Sequence, residues 1–210
     1  MGRMRTWALV MSVVIFIAIV ALVIYTKFPA PPPSPSSSLQ DLPIPPWAIS
    51  FGAPTAPITL IEFYDLNCIY CAIAHEQLDP LYRQLMAEGM LRLIFVDLIM
   101  HPDALIVHQY LHCTYKQLGE NTYDLLTELY RAYLKGGVES QLEILRQYKC
   151  ADVPTKNDFD NGAKALLAAL AQRGAPIRQE GTPTFVIIRN GTINVVVGAD
   201  VAKVVSLLSR

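Results

Sequence analysis

The chain has 210 residues with a net charge of −1, 52% hydrophobic residues and four cysteines. Its basic residues are scattered singly, which argues against a nucleic-acid-binding protein, because phosphate binding needs a clustered basic surface. The length allows one ordinary domain with an appendage, and the hydrophobic content is high for a purely soluble protein.

The excess of hydrophobic residues lies at the N-terminus. Residues 7–25 carry no charge over 19 positions, about 28 Å as a helix, which matches the hydrocarbon core of a bilayer. Arg3 and Arg5 precede this run and only Lys27 follows it, so the positive-inside rule predicts a cytoplasmic N-terminus. We therefore expect residues 1–27 to form a cytoplasmic tip and a single-pass transmembrane anchor in the cell membrane.

A cleaved signal peptide is the main alternative for this stretch. The apolar region of a signal peptide has about 7 to 15 residues and is followed by a small-x-small cleavage site. The run here is longer, and residues 25–30 offer no such site. An uncleaved signal-anchor is therefore favoured, and both alternatives place the following domain outside the cytoplasm.

Residues 28–46 are rich in proline and serine. This composition predicts an extended, semi-rigid linker, which we favour over a proline-motif ligand. The folded domain is expected over residues 47–210. Four cysteines in an exported domain fit an oxidising compartment.

The first half of the domain has the pattern of a βαβ unit. Apolar runs predict strands near residues 49–51, at 57–64 and at 91–96, with a helix between the last two. Pro80 interrupts the helical pattern and is expected to kink the helix.

The second half begins with helices and ends with strands. Residues 103–174 lack a strand pattern and have apolar residues at helical spacing, which predicts an inserted helical block. Strands at 184–188 and 193–197 flank Asn190-Gly191, a strong hairpin signal. A helix at 201–208 follows.

The motif Cys68-Ile69-Tyr70-Cys71 lies between the second predicted strand and the helix after it. Unpaired N–H groups and the helix dipole at a helix N-terminus stabilise a thiolate on the first cysteine. A thiolate attacks disulfides, and a second thiol one turn along can resolve the mixed disulfide that results. The motif predicts a thiol–disulfide exchange enzyme.

Taken together, these features resemble the thioredoxin superfamily. The resemblance rests on Glu-Phe-Tyr-Asp at 62–65, the Cys68 motif, the helical insertion and Gly-Thr-Pro-Thr-Phe at 181–185. The insertion and the last motif are similar to the DsbA-like branch, and the resemblance covers about residues 48–209. It implies an α/β thioredoxin fold, with a mixed sheet of four or five strands and an inserted helical domain over the active site.

The resemblance also implies roles for individual residues. Cys68 would be the exposed nucleophile, Cys71 the buried resolving thiol, and Pro183 a cis-proline beside them. Thr182 would offer its backbone to an extended peptide. Glu62 would lie beneath Cys71, with a raised pKa, and carry its proton; the alternative is a strand-end glutamate that faces water.

The resemblance, together with the N-terminal segment, predicts a membrane-anchored, extracytoplasmic protein disulfide oxidoreductase without a cofactor. A dithiol oxidase acting on reduced or misoxidised exported polypeptides is favoured, and a quinone-linked integral membrane protein would reoxidise it. Ile69 stands where DsbA-like motifs commonly have proline, which leaves the redox direction open. The alternatives are a reductase or isomerase with the same cysteine pair, and a binding module with two inert disulfides.

Cys113 and Cys150 flank much of the helical block. A structural disulfide between them is favoured, and a second redox pair or two free thiols are the alternatives. His108 and His112 are four residues apart, but we expect no metal site because no fourth ligand is evident. His75 and His101 are predicted to be polar surface residues.

Overall fold

Five strands form one mixed sheet in the computed structural model, which describes residues 42–177 and 181–209. The strands are β1 (Ile49–Gly52), β2 (Ile58–Tyr64), β3 (Leu91–Asp97), β4 (Thr184–Arg189) and β5 (Thr192–Val197). Their order across the sheet is β1-β3-β2-β4-β5. The central strand β2 is parallel to β3 and antiparallel to β4.

The helices are α1 (Ile69–Ala87), α2 (Ala104–Leu118), α3 (Thr122–Leu145), α4 (Lys156–Gln172) and α5 (Val201–Leu208), with a short 3-10 helix at Gly119–Asn121. Helix α1 connects the parallel strands β2 and β3, and α2 to α4 form the block inserted between β3 and β4. The predicted thioredoxin fold with a helical insertion is confirmed.

All seven residues of β2 are buried because side chains pack against both faces of the sheet. Ile58, Leu60 and Tyr64 join the core beneath α1, whereas Ile61 and Phe63 join the core beneath α4. Each such burial stabilises the fold by about 1.5 to 3 kcal/mol. Because strand side chains alternate between faces, Glu62 lies on the α1 side.

Helix α1 continues through Pro80 as one helix of 19 residues. A proline inside a helix removes one backbone hydrogen bond. Leu78 and Tyr82, on either side of the proline, are completely buried, so tertiary packing holds the helix across this position. Its N-cap residue is Cys68, whose backbone is extended.

A break divides α3 at Gly136 and Gly137, where the backbone leaves the helical conformation. Gly137 has a φ of 66°, which a residue with a side chain rarely adopts. The part of α3 after the break carries Gln141, which is fully buried.

The described part of the chain starts at Leu42, which is buried in the core beneath α4. Ile44 packs against the same core, so the folded domain includes the end of the segment predicted as linker. In the stretch from 42 to 177 and from 181 to 209, no helix is long and apolar enough to cross a membrane. The predicted anchor at 7–25 and the rest of the linker lie outside the described residues.

Candidate active site

Cys68 lies at the junction of β2 and α1, beside the loop before β4. Its Sγ is 3.3 Å from the carbonyl oxygen of Thr182, to which the thiol donates. The Thr182–Pro183 peptide bond is cis, and Pro183 is buried. The two segments predicted to form the site are therefore in contact.

The surroundings of Cys68 favour its thiolate. Hydrogen bonds with the Cys71 thiol, with the Thr182 side chain and with the N–H groups of Cys71 and Tyr70 lower the pKa of Cys68 to about 5, against burial, which raises it. These N–H groups belong to the first turn of α1, where a helix leaves its donors unpaired. Cys68 is thus the thiol of the pair that ionises first.

Cys71 has the opposite environment. It is completely buried, and burial together with the charge at Cys68 raises its pKa well above the usual value. A proton therefore stays on Cys71 at neutral pH while Cys68 is a thiolate.

Glu62 lies on β2, on the sheet face that α1 covers. Burial, reinforced by the charge at Cys68, raises the pKa of Glu62 to about 8, and its two carboxyl oxygens have no hydrogen-bond partner among the described residues. The structure thus contains the buried, protonated carboxyl that was predicted, and not a glutamate facing water. Its part in proton transfer stays a prediction.

The turn from Asp65 to Cys68 is bound through three successive backbone N–H groups. Leu66 N–H donates to His108 Nε2 at 2.9 Å, Asn67 N–H to Asp65 Oδ1 at 2.8 Å, and Cys68 N–H to the Asp65 carbonyl at 3.1 Å. On the other side of the turn, Gln141 Nε2 donates to the Leu66 carbonyl at 3.0 Å.

Asp65 also binds the loop after β3. Its Oδ2 accepts from the N–H groups of Met100 and His101 at 2.7 and 2.9 Å, and from the His101 ring at 2.9 Å. Burial raises the pKa of Asp65, but these bonds, the bond from the Asn67 N–H and the nearby His108 ring together lower it to about 2.

A second buried carboxylate, Asp97, lies at the end of β3. His108 Nδ1 donates to it at 2.6 Å, His112 Nε2 at 2.9 Å and the Tyr64 hydroxyl at 3.1 Å. The cluster was missed as a unit because its members come from β2, β3 and α2. The spacing of His108 and His112 on one helix face was the signal that sequence offered.

The prediction that His75 is a surface residue is wrong. His75 is completely buried and its Nε2 lies 2.9 Å from the Thr127 hydroxyl. Burial lowers its pKa to about 4. His75 shares the inner face of α1 with Cys71 and Tyr82, at spacings of four and seven residues, and this helical periodicity could have identified it. His101, in contrast, is about half exposed.

Cys113 and Cys150 form a disulfide with a Cα–Cα distance of 5.5 Å. It ties α2 to the segment between α3 and α4. The structure contains the predicted pairing, and its structural purpose stays a prediction.

The site is thus built for thiol chemistry: an ionised thiol at Cys68, a protonated thiol at Cys71 and the buried carboxyl of Glu62. Cys68, predicted to be exposed, is in fact only 5% exposed, because the loop before β4 lies against it. Two exposed apolar side chains, Ile69 and Tyr70, lie beside Cys68. The described part of the chain holds no cluster of three or more metal-ligating side chains.

Comparison with known proteins places this geometry in context. The thioredoxin family model matches residues 46–194, more than half of the chain. None of the curated proteins matches the chain significantly.

Solved structures share its fold at low sequence identity. A periplasmic thioredoxin-like protein from Salmonella enterica serovar Typhimurium has 17% identity and a TM-score of 0.56, with 86% of this chain and 97% of that chain covered. Alpha-DsbA1 from Wolbachia pipientis has 17% identity and a TM-score of 0.54, covering 82% and 94%. BdbD from Bacillus subtilis has 16% identity and a TM-score of 0.51, covering 78% and 91%.

Proposed function

The chain belongs to the thioredoxin family, and on this premise we propose that it is an extracytoplasmic dithiol oxidase, held at the cell membrane by its N-terminal segment. The family match and the DsbA-like fold confirm the predicted class, a thiol–disulfide oxidoreductase. One observation supports the oxidase direction: the pKa of Cys68 is lowered to about 5. A stabilised thiolate favours the reduced enzyme, and this makes its disulfide a stronger oxidant.

The reaction begins with the oxidised Cys68–Cys71 pair. A substrate thiolate attacks Cys68 Sγ, the new bond forms a mixed disulfide, and Cys71 leaves as a thiolate. The carboxyl of Glu62 supplies a proton to Cys71, because the pKa of the carboxyl, about 8, is lower than the strongly raised pKa of the Cys71 thiol.

A second substrate thiolate then attacks the substrate sulfur of the mixed disulfide. Cys68 leaves as the stabilised thiolate, and the substrate carries the new disulfide. The substrate dithiol has lost two electrons and two protons. The enzyme disulfide has gained the two electrons and, at Cys71, one proton by way of Glu62, and the remaining proton goes to solvent.

The substrates in this proposal are reduced or misoxidised exported polypeptides. An extended peptide would pair with the backbone of Thr182, whose carbonyl oxygen lies 3.3 Å from Cys68 Sγ. Reoxidation requires an electron acceptor, for which we propose a quinone-linked integral membrane protein. A membrane anchor would keep the domain near such a partner.

Oxidation of a reduced dithiol peptide by the full-length protein tests the proposal. We expect oxidation of the reduced peptide by the wild type and none by Cys68→Ser. When Cys71→Ser is mixed with the disulfide form of the peptide, Cys68 should attack that disulfide and release one peptide thiolate, and the mixed disulfide should persist because the variant lacks the resolving thiol. Peptide oxidation that survives in Cys68→Ser would contradict the site, and absence of Cys68-dependent exchange in the wild type would favour an inert binding module.

A further inference from the structure

We propose that His108 and Gln141 are positioning residues that bind the backbone N–H and C=O of Leu66, one each, and thereby orient Cys68. His108 accepts the Leu66 N–H at 2.9 Å, and Gln141 donates to the Leu66 carbonyl at 3.0 Å. We call these two side chains the Leu66 clamp. The inference deepens the proposed function, on which it rests, because it concerns the orientation of the same nucleophile.

Both clamp residues belong to the inserted helical block. His108 comes from α2 and Gln141 from the part of α3 beyond its break, and each is completely buried. Buried backbone N–H and C=O groups are almost always hydrogen-bonded, because leaving one of them without a partner costs about 1 to 3 kcal/mol. The backbone N–H and C=O of Leu66 both find their partners in side chains of the insertion, so the insertion anchors the active-site turn.

The position of Leu66 explains why the anchor matters for the thiol. Leu66 lies two residues before Cys68, and the N–H of Cys68 closes the turn on the Asp65 carbonyl. The N–H groups of Tyr70 and Cys71 stabilise the Cys68 sulfur only while the turn directs that sulfur at the first turn of α1. If the hydrogen bonds from His108 and Gln141 to Leu66 are lost, the sulfur of Cys68 is less well aligned with these N–H groups, and the thiolate loses part of its stabilisation.

The clamp also fixes the protonation of His108. Leu66 N–H is a donor, so Nε2 must carry a lone pair, and the hydrogen of the ring lies on Nδ1, which donates to Asp97 at 2.6 Å. Four titratable groups face His108: Tyr64 from β2, Asp65 from the loop after β2, Asp97 from β3 and His112 from α2.

Opposing effects act on the pKa of His108. Burial lowers its pKa, and the Asp65 and Asp97 carboxylates together raise it to about 9. A proton on Nε2, however, would face the Leu66 N–H, donor against donor, and Asp65 Oδ1 is 3.9 Å away from Nε2. The observed contact therefore assigns the neutral ring.

The test compares the ionisation of Cys68 in reduced full-length variants. We expect His108→Leu and Gln141→Leu each to raise the pKa of Cys68 by up to about one pH unit, which corresponds to the free energy of one neutral hydrogen bond. The pKa is measured from the absorbance of the thiolate as a function of pH. We expect His108→Gln to recover part of the effect, because its amide oxygen can accept the Leu66 N–H.

His112→Leu is the matched control. It removes a histidine one turn along the same helix, whose ring is hydrogen-bonded to Asp97 as that of His108 is, but which is not one of the hydrogen-bond partners of Leu66. We expect it to lower the free energy of unfolding as much as His108→Leu while leaving the pKa of Cys68 close to that of the wild type. Equal shifts in the clamp variants and the control, or no shift in folded clamp variants, would overturn the proposal.

A measurement on the wild type covers variants that do not fold. Nitrogen NMR should show His108 Nε2 without a proton at neutral pH, and a scalar coupling between Nε2 and the Leu66 amide nitrogen. A doubly protonated His108, or no coupling, would overturn the clamp. Both readouts are independent of peptide oxidation, so failure of the clamp and failure of the oxidase proposal are distinguishable.

Discussion

Two thiols three residues apart have opposite environments in this protein. Cys68 is aligned with the N–H groups of the first turn of α1, whereas Cys71 is enclosed by the core. Both cysteines were identifiable from sequence because their contrast follows from local structure, a helix that starts at the first cysteine. The raised pKa of Glu62 was inferred from its place in an apolar strand, and the contacts of β2 on both sides account for it.

Glu62 gives a prediction for stability against pH. The pKa of Glu62 in the folded protein is about 8, raised from the usual 4.5. The folded state therefore binds the proton more tightly than the unfolded state, and the resulting stabilisation is fully present below pH 4.5 and is lost as the pH rises to about 8. The lowered pKa of Cys68 makes the reduced protein more stable as the pH rises, but Cys68 is present in both the wild type and the Glu62 variant that are compared. We therefore expect Glu62→Gln to gain stability relative to the wild type by about 1.4 kcal/mol per pH unit between about pH 5 and 8.

Urea unfolding of both reduced proteins at several pH values measures this difference. A difference that stays constant over the pH range would show that the carboxyl of Glu62 ionises normally. The same comparison in a Cys68→Ser background removes the titration of the thiol and leaves that of Glu62.

At the scale of elements, locally encoded structure was predictable and the buried polar cluster was not. The hairpin turn at Asn190-Gly191 has the positive φ values that its sequence implies, and the last helix begins at an Asp200 cap that accepts from Lys203 N–H. Asp97 and His108, in contrast, meet only because α2 packs beside the end of β3. No local pattern encodes such a contact, since it depends on how distant elements pack.

The Cys113–Cys150 disulfide provides the prediction for the helical block. It closes a loop with a sequence separation of 37 residues, so we expect the double variant Cys113→Ala/Cys150→Ala to lose about 4 kcal/mol of unfolding free energy in the loop-entropy model. Denaturant unfolding of the protein with Cys68–Cys71 held in one redox state measures the loss.

The oxidation of the dithiol peptide should survive in this double variant, because Cys68 and Cys71 suffice for the proposed reaction. A folded variant that is inactive would instead favour a second redox pair that relays electrons to or from the first.

At the scale of the whole molecule, a thiol–disulfide oxidoreductase domain follows a proposed membrane anchor at residues 7–25. Composition and charge alone support the anchor: an uncharged run long enough for a bilayer, with Arg3 and Arg5 before it. Such an arrangement would confine the domain to the oxidising side of a membrane, where disulfides persist.

Cell fractionation tests the anchor directly. The full chain should remain with membranes after an alkaline wash, at its full mass of 23.3 kDa, and protease added outside the cytoplasmic membrane should degrade the domain. As a matched control, a variant with Arg3 and Arg5 replaced by glutamine should lose its uniform orientation. A shortened chain in the soluble exported fraction would indicate a cleaved signal peptide.

The reduction potential of the Cys68–Cys71 pair decides whether the protein oxidises or reduces its substrates. Equilibration of the full-length protein with glutathione buffers, followed by quantification of the two thiols, gives this potential. A stabilised Cys68 thiolate predicts a value well above the roughly −270 mV of thioredoxin and toward the roughly −120 mV of DsbA. A potential at or below that of thioredoxin would contradict the oxidase assignment and identify the pair as reducing.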